Sequence, residues 1–162
     1  MSSEFDPFRV LELEPSFELD PSELDRRQRE LTLLRRSQGP LALETLNQAV
    51  RLLKDPVARA EQVFKLRGLP LRSTPAESLL ERVFAEREQI DAWRRSADSH
   101  AIQRWLTEVA LPRQRQQIEA LAALLGPSAS IPSEQAQGLL DELRYGARSI
   151  ATARLAMDVA EG

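Results

Sequence analysis

The segment from Leu43 to Gly68 constrains the fold of this 162-residue chain more than any other. Its apolar residues recur at intervals of three and four: Leu43, Leu46, Val50, Leu53, Val57, Ala60 and Phe64. That spacing places them on one face of a helix. Asp55 is a favourable N-cap and Pro56 suits a first helical turn, so we expect one helix to end near Lys54 and another to begin at Pro56. Gly68 is a typical stop for the second helix. Each helix then needs a covering element.

The residues before this segment also follow helical spacing, and the alternation typical of strands is rare. Residues 5–13 predict a brief helix that stops at Glu14-Pro15. The run Asp20-Pro21-Ser22-Glu23 combines an N-cap, a proline in the first turn and an early glutamate. It predicts a helix to about Arg36, with three leucines facing inward: Leu24, Leu31 and Leu34.

Three long helices are predicted in the second half of the chain. The first opens with a repeat of the capping pattern at Thr74-Pro75-Ala76-Glu77 and runs to about Arg95. The second, 97–125, contains Pro112, which should kink or split it. The third runs from about Glu134 to the C-terminus. Short connections between such helices favour an antiparallel bundle.

These patterns predict an all-α protein. We divide the chain into a helical hairpin unit at 1–68, a linker at 69–75 and a three-helix bundle at 76–162. A unit as small as the first buries a small fraction of its surface. We therefore expect it to pack on the bundle.

Composition excludes several kinds of chemistry. The chain has no cysteine, so it forms no disulfide, thiolate nucleophile or cysteine-ligated metal site. Its net charge of −3 does not favour nucleic acid. It has neither a signal-like N-terminus nor an apolar run of the ~20 residues that span a bilayer. We expect a cytoplasmic protein that binds neither membrane nor nucleic acid.

No arrangement of residues predicts an enzyme, a cofactor or a metal site. His100 is the only histidine, and one histidine near Asp98 is a poor metal site, so we expect it at the surface. Trp93 and Trp105 are predicted in the bundle core rather than as a platform for stacked bases. Glu88 and Asp91 form a carboxylate pair, but such pairs are common on charged helices.

The order of these parts resembles the HscB-type co-chaperones, which combine a J domain with a C-terminal helical domain. In the first half the likeness is carried by Asn47-Gln48-Ala49, Leu53, Asp55-Pro56, Arg59-Ala60-Glu61 and Leu66. Residues 79–92 resemble the first helix of the family's C-terminal domain, and Leu143-Arg144-Tyr145 resembles a motif in its last helix. The resemblance implies a J-domain-like unit followed by an HscB-like bundle.

In that family the J domain stimulates ATP hydrolysis by a DnaK/HscA-class chaperone, and the bundle binds the scaffold on which iron–sulphur clusters are built. Stimulation depends on a His-Pro-Asp triplet after the arginine-rich helix. Here the corresponding residues are Arg36-Ser37-Gln38. The resemblance therefore implies the fold, whereas we expect ATPase stimulation to be lost.

A degenerate chaperone-docking surface is expected along the arginine-rich helix and the turn after it, because the family docks its chaperone there. It consists of Arg26, Arg27, Arg29, Arg35, Arg36, Ser37 and Gln38. The alternative is a solvated helix face, paired locally with Glu23, Asp25 and Glu30.

The resemblance also implies a client- or scaffold-binding surface, consisting of Leu80, Phe84, Glu88 and Tyr145. The match is imperfect, because Glu81, Ala85 and Ala92 depart from the family's pattern. The alternative is that these apolar residues are bundle core, since stripes at helical spacing usually are.

We therefore expect a protein-binding module rather than an enzyme. The first hypothesis is an HscB-like adaptor that binds a client or an iron–sulphur scaffold through its bundle, with chaperone binding weak or lost. A second keeps co-chaperone function through the arginine helix. A third is a structural or adaptor subunit of a larger assembly that uses the same fold.

Overall fold

The structure, a computed structural model, describes residues 4–71, 74–126 and 133–161, with side chains through 159 in the last range. In these ranges all regular secondary structure is helical, so the predicted all-α fold is confirmed. The chain forms two compact units: Met1–Leu71 with Leu125–Ala129, and Arg72–Leu124 with Ser130–Gly162. The packing of one unit on the other stays a prediction.

The first unit is built around the helix that precedes Asp55. Its elements are α1 Pro7–Val10, α2 Pro21–Arg35, a 3-10 turn Arg36–Gln38, α3 Pro40–Lys54 and α4 Pro56–Leu66. Helix α3 packs against α1, α2 and α4, so the other elements supply the cover that its apolar face required. The buried core contains Phe8, Leu11, Phe17, Leu24, Leu31, Leu46, Leu53 and Phe64.

The ends of α4 confirm the predicted start and stop. The Asp55 carboxylate accepts a hydrogen bond from the Val57 backbone N–H at 2.9 Å. At the other end Gly68 has φ of 68°. The Leu69 N–H donates to the Phe64 carbonyl at 2.8 Å and the Gly68 N–H donates to the Lys65 carbonyl at 3.2 Å. This pair of bonds is a Schellman motif, which favours glycine at the residue with positive φ.

Arg59 on α4 links three parts of the first unit. Its guanidinium donates to the backbone carbonyls of Phe17 and Leu53, each at 2.8 Å. It also lies 5.0 Å from the centroid of the Phe17 ring. Burial lowers the pKa of Arg59, and the nearby Asp55 carboxylate opposes that shift. The guanidinium therefore holds the segment before α2 and the end of α3 to α4.

One expectation for α2 is wrong. Leu24 and Leu31 are buried, but Leu34 is exposed rather than facing inward. Leu24 and Leu31 are seven residues apart and therefore nearly aligned, whereas Leu34 is rotated by about 60° from Leu31 at 3.6 residues per turn. It also lies one residue before the end of α2.

The second unit is a bundle of three helical columns. Its elements are α5 Glu77–Arg95, α6 Ser99–Trp105, a π-helical segment Leu106–Ala110, α7 Leu111–Leu124 and α8 Ser133–Glu161. Helix α6, the π-helical segment and α7 are continuous and form one column. It packs with α5 and α8, and α5 and α8 pack with each other. Helix α5 begins at Glu77, and its N-cap residue is Ala76, which makes no side-chain capping hydrogen bond, so Thr74 is not the cap that the sequence predicts.

The predicted disturbance at Pro112 takes the form of a widened helical turn just before it. The Leu111 N–H donates to the Leu106 carbonyl, five residues earlier, which is the π-helical pattern. Proline has no N–H to continue the usual ladder, so the disturbance lies where the ladder is interrupted. The column neither splits nor ends there.

Apolar and ionic contacts hold the bundle together. Trp93 and Trp105 pack against a buried cluster that includes Ile90 and Ile150, as predicted for core residues. Between α5 and α7, the Arg113 guanidinium donates two hydrogen bonds to Glu86, at 2.7 and 3.0 Å. Both side chains of this pair are largely buried, so the fork-shaped contact holds α7 in register with α5.

Candidate functional site

The described residues offer little to bind a metal ion. Across 4–71, 74–126 and 133–159, no group of three or more histidine, aspartate or glutamate side chains is arranged to hold one. His100 is exposed, as predicted for a surface residue. None of the described helices is both long enough and apolar enough to cross a membrane. The remaining candidates are surfaces.

Two predicted client-binding residues are exposed on α5. Leu80 is 40% exposed and Phe84 is 71% exposed, whereas Leu79 and Val83, one residue before each, are buried. The alternative that placed Leu80 and Phe84 in the core is therefore wrong. Burying Leu79 and Val83 turns the residues that follow them, about 100° around the helix, toward solvent.

Tyr145 lies at the same level of the bundle as Phe84. The column of α6, the π-helical segment and α7 lies between α5 and α8 in the chain and runs antiparallel to both. Helices α5 and α8 are therefore parallel to each other. Arg82 and Asp141 line one cavity, and Ile90 and Ala151 line another. This register carries Phe84 to the level of Tyr145.

The Tyr145 side chain is half-buried and open to a partner. The Arg148 guanidinium lies 5.3 Å from the centroid of its ring. Within the described residues the Tyr145 hydroxyl has no hydrogen-bond partner. Leu80 lies one helical turn before Phe84, and Glu88 is exposed one turn after it. Leu80, Phe84 and Glu88 thus lie on one exposed side of α5, and Tyr145 lies on α8.

Sequence reasoning missed a groove farther along the same two helices. We call it the α5–α8 groove; its volume is about 380 Å³ and it is lined by Arg87, Ile90, Asp91, Arg94, Ala151, Thr152, Leu155, Ala156 and Val159. Leu155 is 68% exposed. Ala151, Leu155 and Val159 are spaced by four residues, so they form a stripe separate from the core stripe of α8. That spacing was the feature of the sequence from which the groove could have been predicted.

The α5 side of this groove is basic. Asp91 accepts hydrogen bonds from Arg94, the shorter at 2.6 Å, and its other oxygen lies 3.5 Å from the Arg95 Nε. The hydrogen bond from Arg94 lowers the pKa of Asp91, so this carboxylate stays ionised beside the two arginines. Arg87 forms no ion pair with any described residue. The positive charge on this wall is therefore only partly balanced.

The predicted chaperone-docking arginines divide into two groups. Arg26 pairs with Glu23 at 3.2 Å and with Glu30 at 2.9 Å, and Arg27 reaches Glu30 at 3.5 Å. These pairs agree with the solvated-face alternative. Asp25 pairs instead with Lys54, at 2.9 Å. Three other members form no ion pair in the described part of the chain: Arg29, Arg35 and Arg36.

Ser37 and Gln38 are exposed in the 3-10 turn between α2 and α3. Three exposed leucines that the sequence interpretation did not assign to a surface lie near this turn in the chain: Leu33, Leu34 and Leu41. Leu33 is about half a turn from Leu31, so helical spacing alone predicts that it faces outward. The position of the missing triplet is thus flanked by apolar surface.

The protein is therefore all-helical in its described part, with charged and apolar side chains exposed on both units. No protein-family model matches the chain, and no curated protein matches it significantly.

Proposed function

We propose that the protein is an HscB-like adaptor that binds a protein client, an iron–sulphur scaffold, through the surface formed by Leu80, Phe84 and Tyr145. The observation that carries the proposal is the exposure of Phe84, 71% of which faces solvent on a helix whose other side is core. The motifs at 43–68 and 79–92 support the choice of family.

The chemistry of this surface suits a protein partner. An exposed phenylalanine offers apolar area that is buried only when something covers it, at about 25 cal/mol per Å². On α8, the half-buried Tyr145 ring has the Arg148 guanidinium 5.3 Å from its centroid. Tyrosine and arginine are enriched among residues that dominate binding energy, because each combines contact area with hydrogen bonding. Tyr145 has a hydroxyl to donate to such a partner.

The proposal includes loss of ATPase stimulation. The turn at 36–38 carries Arg36, Ser37 and Gln38, none of which reproduces the imidazole, ring or carboxylate of a His-Pro-Asp triplet. The ion pairs of Arg26 and Arg27 with Glu30 reduce the charge that α2 offers an acidic chaperone surface. Chaperone binding, where it persists, depends on the arginines without such partners.

The test measures binding of the purified full-length protein to the iron–sulphur scaffold of the same cell by calorimetry. The double variant Phe84→Ala/Tyr145→Ala should weaken binding by about tenfold or more, since central aromatic anchors typically contribute more than ~1–2 kcal/mol. Val109→Ala is the matched control, because Val109 is a 43% exposed apolar residue elsewhere on the same bundle. It should leave the affinity unchanged.

Two results would contradict the proposal. One is a wild-type protein that does not bind the scaffold. The other is a folded double variant that binds as tightly as the wild type, which would show that the surface is wrongly placed. ATP hydrolysis by the cognate chaperone should not rise when the protein is added, and robust stimulation would restore the co-chaperone hypothesis.

A second candidate is an adaptor subunit of a larger assembly. Exposed Leu33 and Leu41 favour it, because they add apolar surface on the first unit at the position where a co-chaperone needs its triplet. Cross-linked pull-down from the native cell separates the candidates. Recovery of the scaffold alone supports the main proposal, recovery of scaffold and chaperone supports retained co-chaperone function, and an unrelated complex supports the adaptor subunit.

A further inference from the structure

We infer that the α5–α8 groove is a second protein-binding site, which takes an acidic amphipathic helix from a partner. It lies at the C-terminal ends of α5 and α8, beyond the level of Phe84 and Tyr145. The inference therefore does not depend on the client proposed above.

The groove offers apolar contact that the fold itself does not use. Its floor is closed by Ile90 and Ala156, both buried. Its α8 wall is formed by Leu155 and Val159, each more than half exposed. Such side chains bury their area only when a ligand covers them, and the spacing of four residues matches the repeat of a helix laid alongside.

The charge of the groove indicates the charge of the helix that it binds. Among the residues that line the groove, Arg87 and Arg94 on α5 stand against the single carboxylate of Asp91. The α8 residues that line the groove are uncharged. This local excess of positive charge contrasts with the net charge of −3 for the whole chain. A partner with carboxylates flanking its apolar face complements it.

The dimensions favour a helix. The α5 wall runs from Arg87 to Arg94, about 10 Å at a rise of about 1.5 Å per residue, which is two helical turns. Apolar anchors of a helix at i, i+4 and i+7 cover that length.

The test uses a fluorescently labelled designed peptide of about 18 residues, long enough to form a helix. It carries leucines at i, i+4 and i+7 flanked by glutamates, and a matched peptide has lysines at the glutamate positions. Anisotropy is measured with the full-length protein. We expect the acidic peptide to bind at least tenfold more tightly than the basic one, with affinity falling as salt rises.

Matched variants locate the site. Arg87→Glu and Leu155→Glu should each weaken binding of the acidic peptide by about tenfold or more. The controls are Arg29→Glu, which reverses another arginine without an ion pair, and Leu33→Glu, which changes a leucine that is 71% exposed against 68% for Leu155. Both controls, and Phe84→Ala/Tyr145→Ala, should bind the peptide as the wild type does.

Several outcomes would overturn the inference: equal binding of both peptides, no binding of the acidic peptide, or equal losses for Leu155→Glu and Leu33→Glu. A wild-type dimer that Leu155→Glu dissociates would assign the groove to a second copy instead. Loss of scaffold binding in the Phe84/Tyr145 variant bears only on the proposed function. The two ideas can thus fail separately.

Discussion

Arg59→Ala should destabilise the first unit through groups that lie in three different segments. The substitution removes the hydrogen bonds to the Phe17 and Leu53 carbonyls, each at 2.8 Å, and the contact with the Phe17 ring at 5.0 Å. Phe17 and Leu53 are both buried. After the substitution their carbonyl oxygens therefore need a new hydrogen-bond donor, which is either another group of the protein or a water molecule that enters the site. Alanine supplies no donor.

The size of the effect follows from the individual contacts. Hydrogen bonds to a charged group contribute about 1.5–3 kcal/mol each, and a partly desolvated cation–π contact contributes about 1 kcal/mol. Ordering the arginine side chain costs up to about 2 kcal/mol, and partial desolvation of its charge also opposes the gain. We expect Arg59→Ala to lower the free energy of unfolding by about 2–4 kcal/mol.

Urea denaturation followed by circular dichroism measures the loss, and hydrogen exchange of backbone amides in 13–20 shows whether the segment before α2 is released. Arg59→Lys should fall between wild type and alanine, because one ammonium replaces the forked guanidinium. Arg51→Ala is the control, an exposed arginine of α3 that forms no ion pair with described residues. A loss for Arg59→Ala below ~0.5 kcal/mol, typical of surface substitutions, would refute the reasoning.

Three further predictions follow from other parts of the fold. Glu86→Gln should cost about 2–3 kcal/mol of unfolding free energy by leaving Arg113 without its counter-charge, and the double variant with Arg113→Met should recover part of the loss in a denaturation cycle. Leu53→Ala should cost about 2–5 kcal/mol as a buried core residue, which thermal unfolding will show. By NMR titration the pKa of Asp91 should lie below its usual 3.8 and rise toward it in Arg94→Ala. Because the folded pKa is depressed, the stabilisation from this pair is present above pH 3.8 and lost as pH falls through the folded value.

Helix boundaries were well predicted wherever local chemistry decides them. Asp20 and Asp55 cap α2 and α4 through their own carboxylates, and Gly68 ends α4 with a positive φ that glycine adopts without strain. These signals act over three or four residues and are readable in one sequence.

The contacts between helices that are distant in the chain were harder to predict. Apolar spacing predicts Leu34 on the inward face of α2, but whether a residue is covered depends on the neighbouring elements, which helical spacing does not specify. The same problem hid the α5–α8 groove, because the α5 and α8 residues that line it are more than 50 residues apart in the chain. The π-helical segment before Pro112 was foreseen only as a disturbance, because a missing N–H permits a kink, a break or a widened turn.

On helix α5, residues that stabilise the fold alternate with residues that are available to bind a partner. Leu79 and Val83 are buried, whereas Leu80 and Phe84 are exposed on the adjoining flank. Loss of a buried leucine costs about 2–5 kcal/mol, whereas loss of an exposed side chain usually changes stability by less than ~0.5 kcal/mol. Selection for folding alone therefore gives no reason for a 71% exposed phenylalanine beside a buried valine. Alanine substitutions at the buried Leu79 and Val83 should lower the free energy of unfolding. Alanine substitutions at the exposed Leu80 and Phe84 should instead lower the affinity for the partner.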